Sequence, residues 1–282
     1  MKSKLLLCVA CLMLSGLAVS AQSLRVATYN LRYDNKDDSL KGDGWVKRRP
    51  VIAALVRFHD FDIFGIQEGL HHQLTSLKAG LPGYAWLGVG RDDGHERGEY
   101  AAIFYKTGKY KVLQQGHFWL STITDRPNTG WDAALPRICT WAQFEDKKTH
   151  YRFYFYNLHM DHIGVTARSE SAKLILAKIK AMPRNEPVIL TGDFNVDQTS
   201  PSYELLNTSG VLKDCYTLAD HPYAPSGTFN AFNVRTDTTS RIDHIFITPQ
   251  FKVERYGILT DTYGGRTPSD HYPVLVELKY GK

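Results

Sequence analysis

The segment Arg152-Phe153-Tyr154-Phe155-Tyr156-Asn157-Leu158 is apolar or aromatic at nearly every position. Side chains of a strand alternate between its two faces, so a strand of this composition has no face to offer water and needs cover from both sides. A single sheet with one solvated face is therefore excluded. Leu24–Leu31, Asp62–Gln67, Tyr84–Val89, Ala101–Lys106, Ile138–Phe144, Tyr151–Met160, Pro187–Phe194, Arg241–Thr248 and Pro273–Leu278 are short β-branched or aromatic runs bounded by turn residues, which makes nine expected strands. From Gly164 to Met182 the apolar residues Ala172, Ile175, Leu176 and Ile179 recur at helical spacing. A second helix is expected from Trp45 to Phe58, with Asp43 as its cap and Pro50 disturbing its first turns, and a short third from Pro201 to Asn207. Two packed sheets flanked by helices, a layered α/β sandwich, provide the cover that these strands require. No repeat or Pro/Gly/Ser-rich linker divides residues 22–282, so one large domain is expected there.

The amino terminus reads differently. Lys2 and Lys4 precede an apolar run from Leu5 to Val19 and the small-residue site Val19-Ser20-Ala21, the pattern of a signal peptide over residues 1–21 cut before Gln22. The run is shorter than the roughly 18 to 20 residues that span a bilayer, so no stable membrane span is expected and the mature chain should be exported, to the periplasm or the exterior. Loss of Lys2 and Lys4 lowers the formal charge from +5 to +3, too small an excess to imply a polyanionic partner. Cys139 and Cys215 remain, and one disulfide or two buried thiols fit the sequence equally well.

Polar residues that are rare in buried strands gather at strand ends: Asn30 in Thr28-Tyr29-Asn30, Glu68 in Ile66-Gln67-Glu68, His159 in Asn157-Leu158-His159. Asp193 and Asn195 in Gly192-Asp193-Phe194-Asn195, Asp243 in Arg241-Ile242-Asp243, and Asp270 and His271 in Ser269-Asp270-His271 continue the pattern, which suggests one cleft. By strand alternation Asp193 and Asn195 share a face, as a carboxylate-amide clamp, while Phe194 enters the other. Glu, Asp and Asn oxygens suit Mg²⁺ or Mn²⁺. A zinc reading of His159-Met160-Asp161-His162 fails in part, because Asn157 stands where the HxHxDH pattern of metallo-β-lactamase-fold hydrolases needs its first histidine.

In their order from Leu24 to Leu278, the motifs Tyr29-Asn30, Gln67-Glu68, Leu158-His159, Gly192-Asp193-Phe194-Asn195, Ile242-Asp243-His244 and Ser269-Asp270-His271 resemble those of the endonuclease/exonuclease/phosphatase superfamily. The resemblance implies a deoxyribonuclease-I-like four-layer αββα sandwich and metal-dependent hydrolysis of phosphate esters. It further implies Glu68 as principal metal ligand with Asn30 assisting, and His271 as activator of the attacking water with Asp243 holding its tautomer. Asp193 and Asn195 would orient water and phosphoryl oxygens, His159 would steady developing charge, and Asp270 would turn toward a metal or the backbone. Arg137 is expected to grip a phosphate, and Trp131 and Trp119 to wall the pocket.

Solvated or structural roles are expected for His71, His72, His95 and His117, and Lys47-Arg48-Arg49 is expected on the exposed face of a helix. Asp161, His162, Glu99 and Tyr100 fit a pocket or a local turn about equally. The expected partner is a small phosphorylated substrate, met by a monomer. The alternatives are a secreted nuclease, a sphingomyelinase-type enzyme with Phe118-Trp119-Leu120 as its nearest lipid-seeking segment, and an inert binding protein on the same fold.

Overall fold

A computed structural model describes residues 22–183 and 186–281; the expected signal peptide lies outside them. In chain order the elements are β1 (Gln22–Asn30), α1 (Lys36–Lys41), α2 (Trp45–Phe58), β2 (Ile63–Gln67), α3 (His71–Ala79), β3 (Tyr84–Leu87), β4 (Ile103–Lys106), β5 (Tyr110–Trp119), β6 (Ile138–Asp146), β7 (Arg152–His159), α4 (Val165–Lys180), β8 (Val188–Asp193), α5 (Pro201–Asn207), β9 (Lys213–Asp214), α6 (Cys215–Leu218), β10 (Asp243–Ile247), β11 (Lys252–Ile258) and β12 (Val274–Tyr280). They form two six-stranded sheets of order β11-β12-β1-β2-β4-β3 and β5-β6-β7-β8-β10-β9. All nine expected strands are present with shifted ends, and β5, β9 and β11 are added. Each of those three is an outer strand of its sheet. Their half-solvated runs, such as Lys252-Val253-Glu254-Arg255, lack the apolar density that marks a strand covered on both sides.

Three cores separate four layers. Leu24, Val26, Phe144, Phe155, Ile189 and Val276 belong to the core between the sheets. Tyr29, Phe64 and Ile66 join Ile52, Val56 and Leu74 of α2 and α3. Leu158, Leu190 and Phe246 join Ile175, Ile179 and Leu206 of α4 and α5. The αββα sandwich is therefore the observed fold. Among the described residues no helix is long and apolar enough to cross a membrane.

Helix α2 departs from expectation at its start. It runs unbroken through Pro50, and its cap is Gly44 rather than Asp43; the Asp43 carboxylate instead accepts from Arg266 at 2.7 Å. Arg48 is fully buried rather than exposed. Cys139 and Cys215 are both buried free thiols, so no disulfide joins them.

The face shared by the two sheets changes character along each central strand. In β1 it passes from Leu24 and Val26 to Thr28 and Asn30, in β7 from Phe153 and Phe155 to Asn157 and His159, and in β8 from Ile189 to Thr191 and Asp193. Midway lies a buried polar knot. Gln67 Nε2 donates to Thr28 Oγ1 at 3.0 Å and across to Asn157 Oδ1 at 2.7 Å. Thr191 Oγ1 donates to the same Asn157 oxygen at 3.0 Å, while Asn157 Nδ2 donates to the carbonyls of Ile66 and Ala102 at 2.8 and 2.9 Å. Gly65 leaves room for this, since a Cβ there would collide with Asn157 Oδ1 and Thr191 Oγ1. Asn157 is thus a tie between sheets, not a vacant position in a zinc motif.

Asn157→Ala leaves buried amide and carbonyl groups without partners, at about 1–3 kcal/mol for each group. We predict a loss of about 3 kcal/mol or more in urea unfolding. Gly65→Ala, which forces the knot apart sterically, should be at least as damaging; wild-type midpoints for both variants would refute this account of the sheet contact.

Candidate active site

Every candidate site residue named from sequence except Trp131 and Trp119 arrives at one end of the sandwich, beyond the polar knot. The cleft there has a volume of about 540 Å³, and its lining includes Glu68, His159, Asp193, Asn195, Asp270, His271 and Arg137. Asn30 Nδ2 bridges the sheets under its floor, donating to Glu68 Oε1 at 3.0 Å and to Asp193 Oδ2 at 2.9 Å. His271 Nδ1 lies 2.9 Å from Asp243 Oδ2, and its Nε2 lies 3.8 Å from Asp193 Oδ2. His159 Nε2 approaches the same Asp193 oxygen at 3.7 Å. Glu68 and Asp270 both face Arg32, at 4.0 and 3.7 Å.

Left-handed backbone aims several of these side chains. Arg32, Glu68 and Asn195 have φ of 55°, 63° and 50°, a region non-glycine residues enter at a cost. β8 ends at Asp193, so Asn195 is not on the strand and alternation does not set its direction. Its backbone N–H donates to Asp193 Oδ1 at 2.9 Å and its side-chain amide to the Met160 carbonyl at 2.9 Å. Phe194, as expected, enters the helix-side core.

Arg137 reaches the cleft from the start of β6. Its Nε donates to Asp161 at 3.1 Å, one terminal nitrogen meets His162 Nδ1 at 2.7 Å, and the other is buried without a partner. Trp131 does not line the cleft. Its neighbour Asp132 is held at the start of α4, accepting from the N–H groups of Thr166 and Ala167 at 3.1 and 2.6 Å. Trp119 does not line the cleft either: its N–H is spent on the Arg91 carbonyl at 2.8 Å, and the whole Phe118-Trp119-Leu120 segment is buried, which removes it as a lipid-seeking hairpin. His162 and Glu99 do line the cleft. Sequence reasoning missed Arg32, Tyr33, Leu135 and Phe229; Arg32, two residues after Asn30, was the nearest to a signal, whereas Phe229 sits in a loop with no pattern.

Crowded charge shifts these groups. Burial, reinforced by Asp243, pushes Asp193 up to about 7, against the pull of His271. Burial and Glu68 likewise raise Glu99 to about 7, although Arg91 opposes them, and burial with Glu68 raises Asp270 to about 6. For His271 burial acts downward, but contact with Asp243 and the nearness of Asp193 and Asp270 outweigh it and hold the pKa well above the usual value. His159 is driven well below it by burial and by Arg137 and Arg91.

Such a set fits a divalent cation. Glu68, His159 and Asp193 form one group with potential ligand atoms within 4.8 Å of each other, and Asp193, Asp243 and His271 form a second. Asp243 Oδ1 and His159 Nδ1 are buried with no hydrogen-bond partner. A cation would relieve the repulsion that raises the carboxyls. A groove of about 610 Å³ at the far end of β10, lined by Leu212, Leu218, Ile247 and Phe251 among others, has no comparable cluster.

The sequence model described as the Endonuclease/Exonuclease/phosphatase family matches residues 27–271. An endonuclease/exonuclease/phosphatase family protein from Bacteroides thetaiotaomicron is 55% identical, with a TM-score of 0.91 over 93% of this chain and 99% of that one. A mannosyl-6-phosphatase from the same species is 56% identical, with a TM-score of 0.89 over 90% of this chain and 99% of that one. Uncharacterized protein L388 of Acanthamoeba polyphaga mimivirus is 29% identical over 161 residues, 54% of this chain. The chain spans 60% of that curated relative and 40% of a second.

Asp193, Glu99 and Asp270 bind protons more tightly folded than unfolded, so the stability they contribute at acid pH is lost as pH rises from about 4 toward 7. His271, also raised, acts in the same direction; His159, lowered, acts in the opposite one. We therefore predict that the metal-free protein melts at a lower temperature at pH 8 than at pH 5. Mn²⁺ should raise Tm more at pH 8, by about 3 °C or more, the shift expected from roughly 1 kcal/mol in a chain of this size. A Tm indifferent to Mn²⁺ at both pH values would count against a cation at these carboxylates.

Proposed function

The chain belongs to the endonuclease/exonuclease/phosphatase family, and we propose that it hydrolyses phosphoester bonds, that its substrate is a small phosphorylated sugar, and that this is cleaved as a monoester in the presence of Mg²⁺ or Mn²⁺. The observation that carries this reading is the cleft. At about 540 Å³ it has the size of a small-molecule site rather than a groove for several phosphates in a row. Its floor is ionic, while Phe229 and Leu135, 42% and 40% exposed, give it apolar walls. The Phe229 ring lies 5.1 Å from the His271 ring, centroid to centroid. A hexose 6-phosphate carries its ring one methylene from the ester oxygen, so phosphorus beside His271 brings that ring within reach of Phe229. The relative whose name gives mannosyl-6-phosphatase activity supports the same class.

In this mechanism Glu68, Asn30 and Asp270, with Asp193 nearby, would hold the divalent ion, which supplies charge neutralisation at the phosphoryl oxygens when bound. Asp243 fixes His271 with Nδ1 toward itself, leaving Nε2 directed at Asp193. The Asp193–His271 pair takes a proton from the attacking water as its oxygen bonds to phosphorus. The bond from phosphorus to the sugar oxygen breaks, and the departing alcohol is protonated in turn. His159 stays neutral at working pH and donates one hydrogen bond to the developing charge, beside the Arg137 guanidinium. Asn195, anchored by its own amide to Met160, keeps Asp193 oriented. The proposal includes export of the mature chain by the amino-terminal segment, which predicts Gln22 as the first residue of the exported protein.

The test is hydrolysis by residues 22–282, read as phosphate release from hexose 6-phosphates, nucleotides and inositol phosphates and as formation of phosphocholine or of shortened strands from sphingomyelin, RNA and DNA. Hexose 6-phosphates should be preferred, EDTA should abolish turnover, and His271→Ala should lower kcat/KM by about 10²- to 10⁴-fold. Phe229→Ala should raise KM for the hexose ester while leaving glycerol 3-phosphate unaffected. Faster cleavage of DNA or RNA would replace this reading with the nuclease one, and inertness toward the whole panel with metal bound would favour a binding protein.

A further inference from the structure

Arg48 is the one charged residue of α2 with no exposure, and it spends its guanidinium on main-chain carbonyls. Nε donates to Asp43 O at 2.7 Å, one terminal nitrogen to Leu31 O at 2.6 Å and Pro268 O at 3.1 Å, and the other to Arg32 O at 3.0 Å. Asp270 and Asp38 act on it only through space. The carbonyls belong to three segments: the turn before α2, the chain leaving β1 just after Asn30, and the chain entering Ser269-Asp270-His271. The last two carry candidate metal-binding residues and come from places more than two hundred positions apart in sequence. One further hydrogen bond joins them directly, Ser269 Oγ donating to Asn30 O at 2.7 Å, and the Arg32 guanidinium faces Asp270 across the same gap at 3.7 Å. Behind the guanidinium stand the rings of Trp45 and Phe232, its carbon 5.4 and 5.5 Å from their centroids, so the group is also fixed from its faces.

We propose that Arg48 is a positioning residue that sets the distance between the Asn30–Arg32 segment and the Pro268–His271 segment, and so the spacing of Asn30 and Glu68 relative to Asp270 at the metal end of the cleft. The inference rests on the metal-dependent reading given above. A planar fork with five N–H donors serves four carbonyls in three directions; the single ammonium of a lysine has three donors at one point and cannot reach all four. With a lysine the charge remains but the two segments are free to drift, and ligands on separate segments lose their common focus. Arg137, at the start of β6, belongs to neither segment, whereas Phe229 is bridged to His271 and moves with the Pro268–His271 segment.

The experiment is calorimetric titration of Mn²⁺ into the metal-free wild type, Arg48→Lys and Ser269→Ala, with kcat and KM measured across an Mg²⁺ series. Arg48→Lys should weaken Mn²⁺ binding by about tenfold or more, the usual scale for losing a group that orients metal ligands. Its half-saturating Mg²⁺ should rise in parallel, with KM for glycerol 3-phosphate, an ester that does not reach Phe229, unchanged at saturating metal. Ser269→Ala removes the second tie without touching a charge and should weaken binding in the same sense, which keeps the proposal testable if Arg48→Lys fails to fold. Phe153→Leu, destabilised in the apolar core between the sheets, should keep wild-type affinity. Unchanged Mn²⁺ affinity in folded Arg48→Lys, or in Ser269→Ala should the lysine variant not fold, would overturn the positioning role alone. A wild type that binds no Mn²⁺ would overturn the metal reading and this proposal with it.

Discussion

Two sheets that face each other through hydrocarbon at one end and through ionisable groups at the other must have something between those regions that is polar and yet needs no water. In this protein that is the contact of Asn157 with Gln67, Thr191 and the Ile66 and Ala102 carbonyls. Each hydrogen bond contributes only about 1 kcal/mol net, whereas each buried partner left unpaired costs more. The knot is therefore a constraint on register: a slip of one residue in β2 or β7 would turn Gln67 or Asn157 toward the helices and strand the rest. Because Glu68 follows Gln67 and His159 lies two residues beyond Asn157, the same constraint delivers both to the cleft.

Beyond the knot, the sheet ends concentrate negative charge. Asp193, Asp243, Asp270, Glu68 and Glu99 share a volume with the imidazoles of His159, His162 and His271 and with Arg32, Arg91 and Arg137. Burial raises the cost of each charge, and mutual repulsion adds to it for the carboxylates, which is why three of them hold protons near neutrality. The cost is offset within the cleft rather than by dispersal to solvent: Arg91 is paired with Glu99 at 2.8 Å and His271 with Asp243 at 2.9 Å. Arg48 is buried as deeply but faces carbonyls, so it works on the path of the backbone rather than on the balance of charge.

The family motifs and the layered sandwich were both legible from residues 22–282. Strands covered on two sides announce themselves by unbroken apolar runs, and polar residues at their ends stand out against that background. Lys252–Ile258 and Tyr110–Trp119 escaped notice because an outer strand keeps one edge and part of a face in water, where lysine, glutamine and glycine are admissible. The same reasoning misjudged Arg48: charge in a helix is usually solvated, and nothing local says that four carbonyls from distant segments converge on this one. Trp131 failed for a related reason, since the capping of α4 by Asp132 is a contact across more than thirty residues.

The sequence by itself determined which strands would be buried on both faces and which chemical groups would stand at their ends, because side-chain alternation and hydrophobic burial act over a few neighbouring residues. Only the tertiary structure decided that the polar ends meet at one cleft, that Asn30 bridges Glu68 and Asp193, and that Phe229 stands beside His271. Those relations depend on the packing of one sheet on the other and on loops closed by distant hydrogen bonds, which no local pattern encodes.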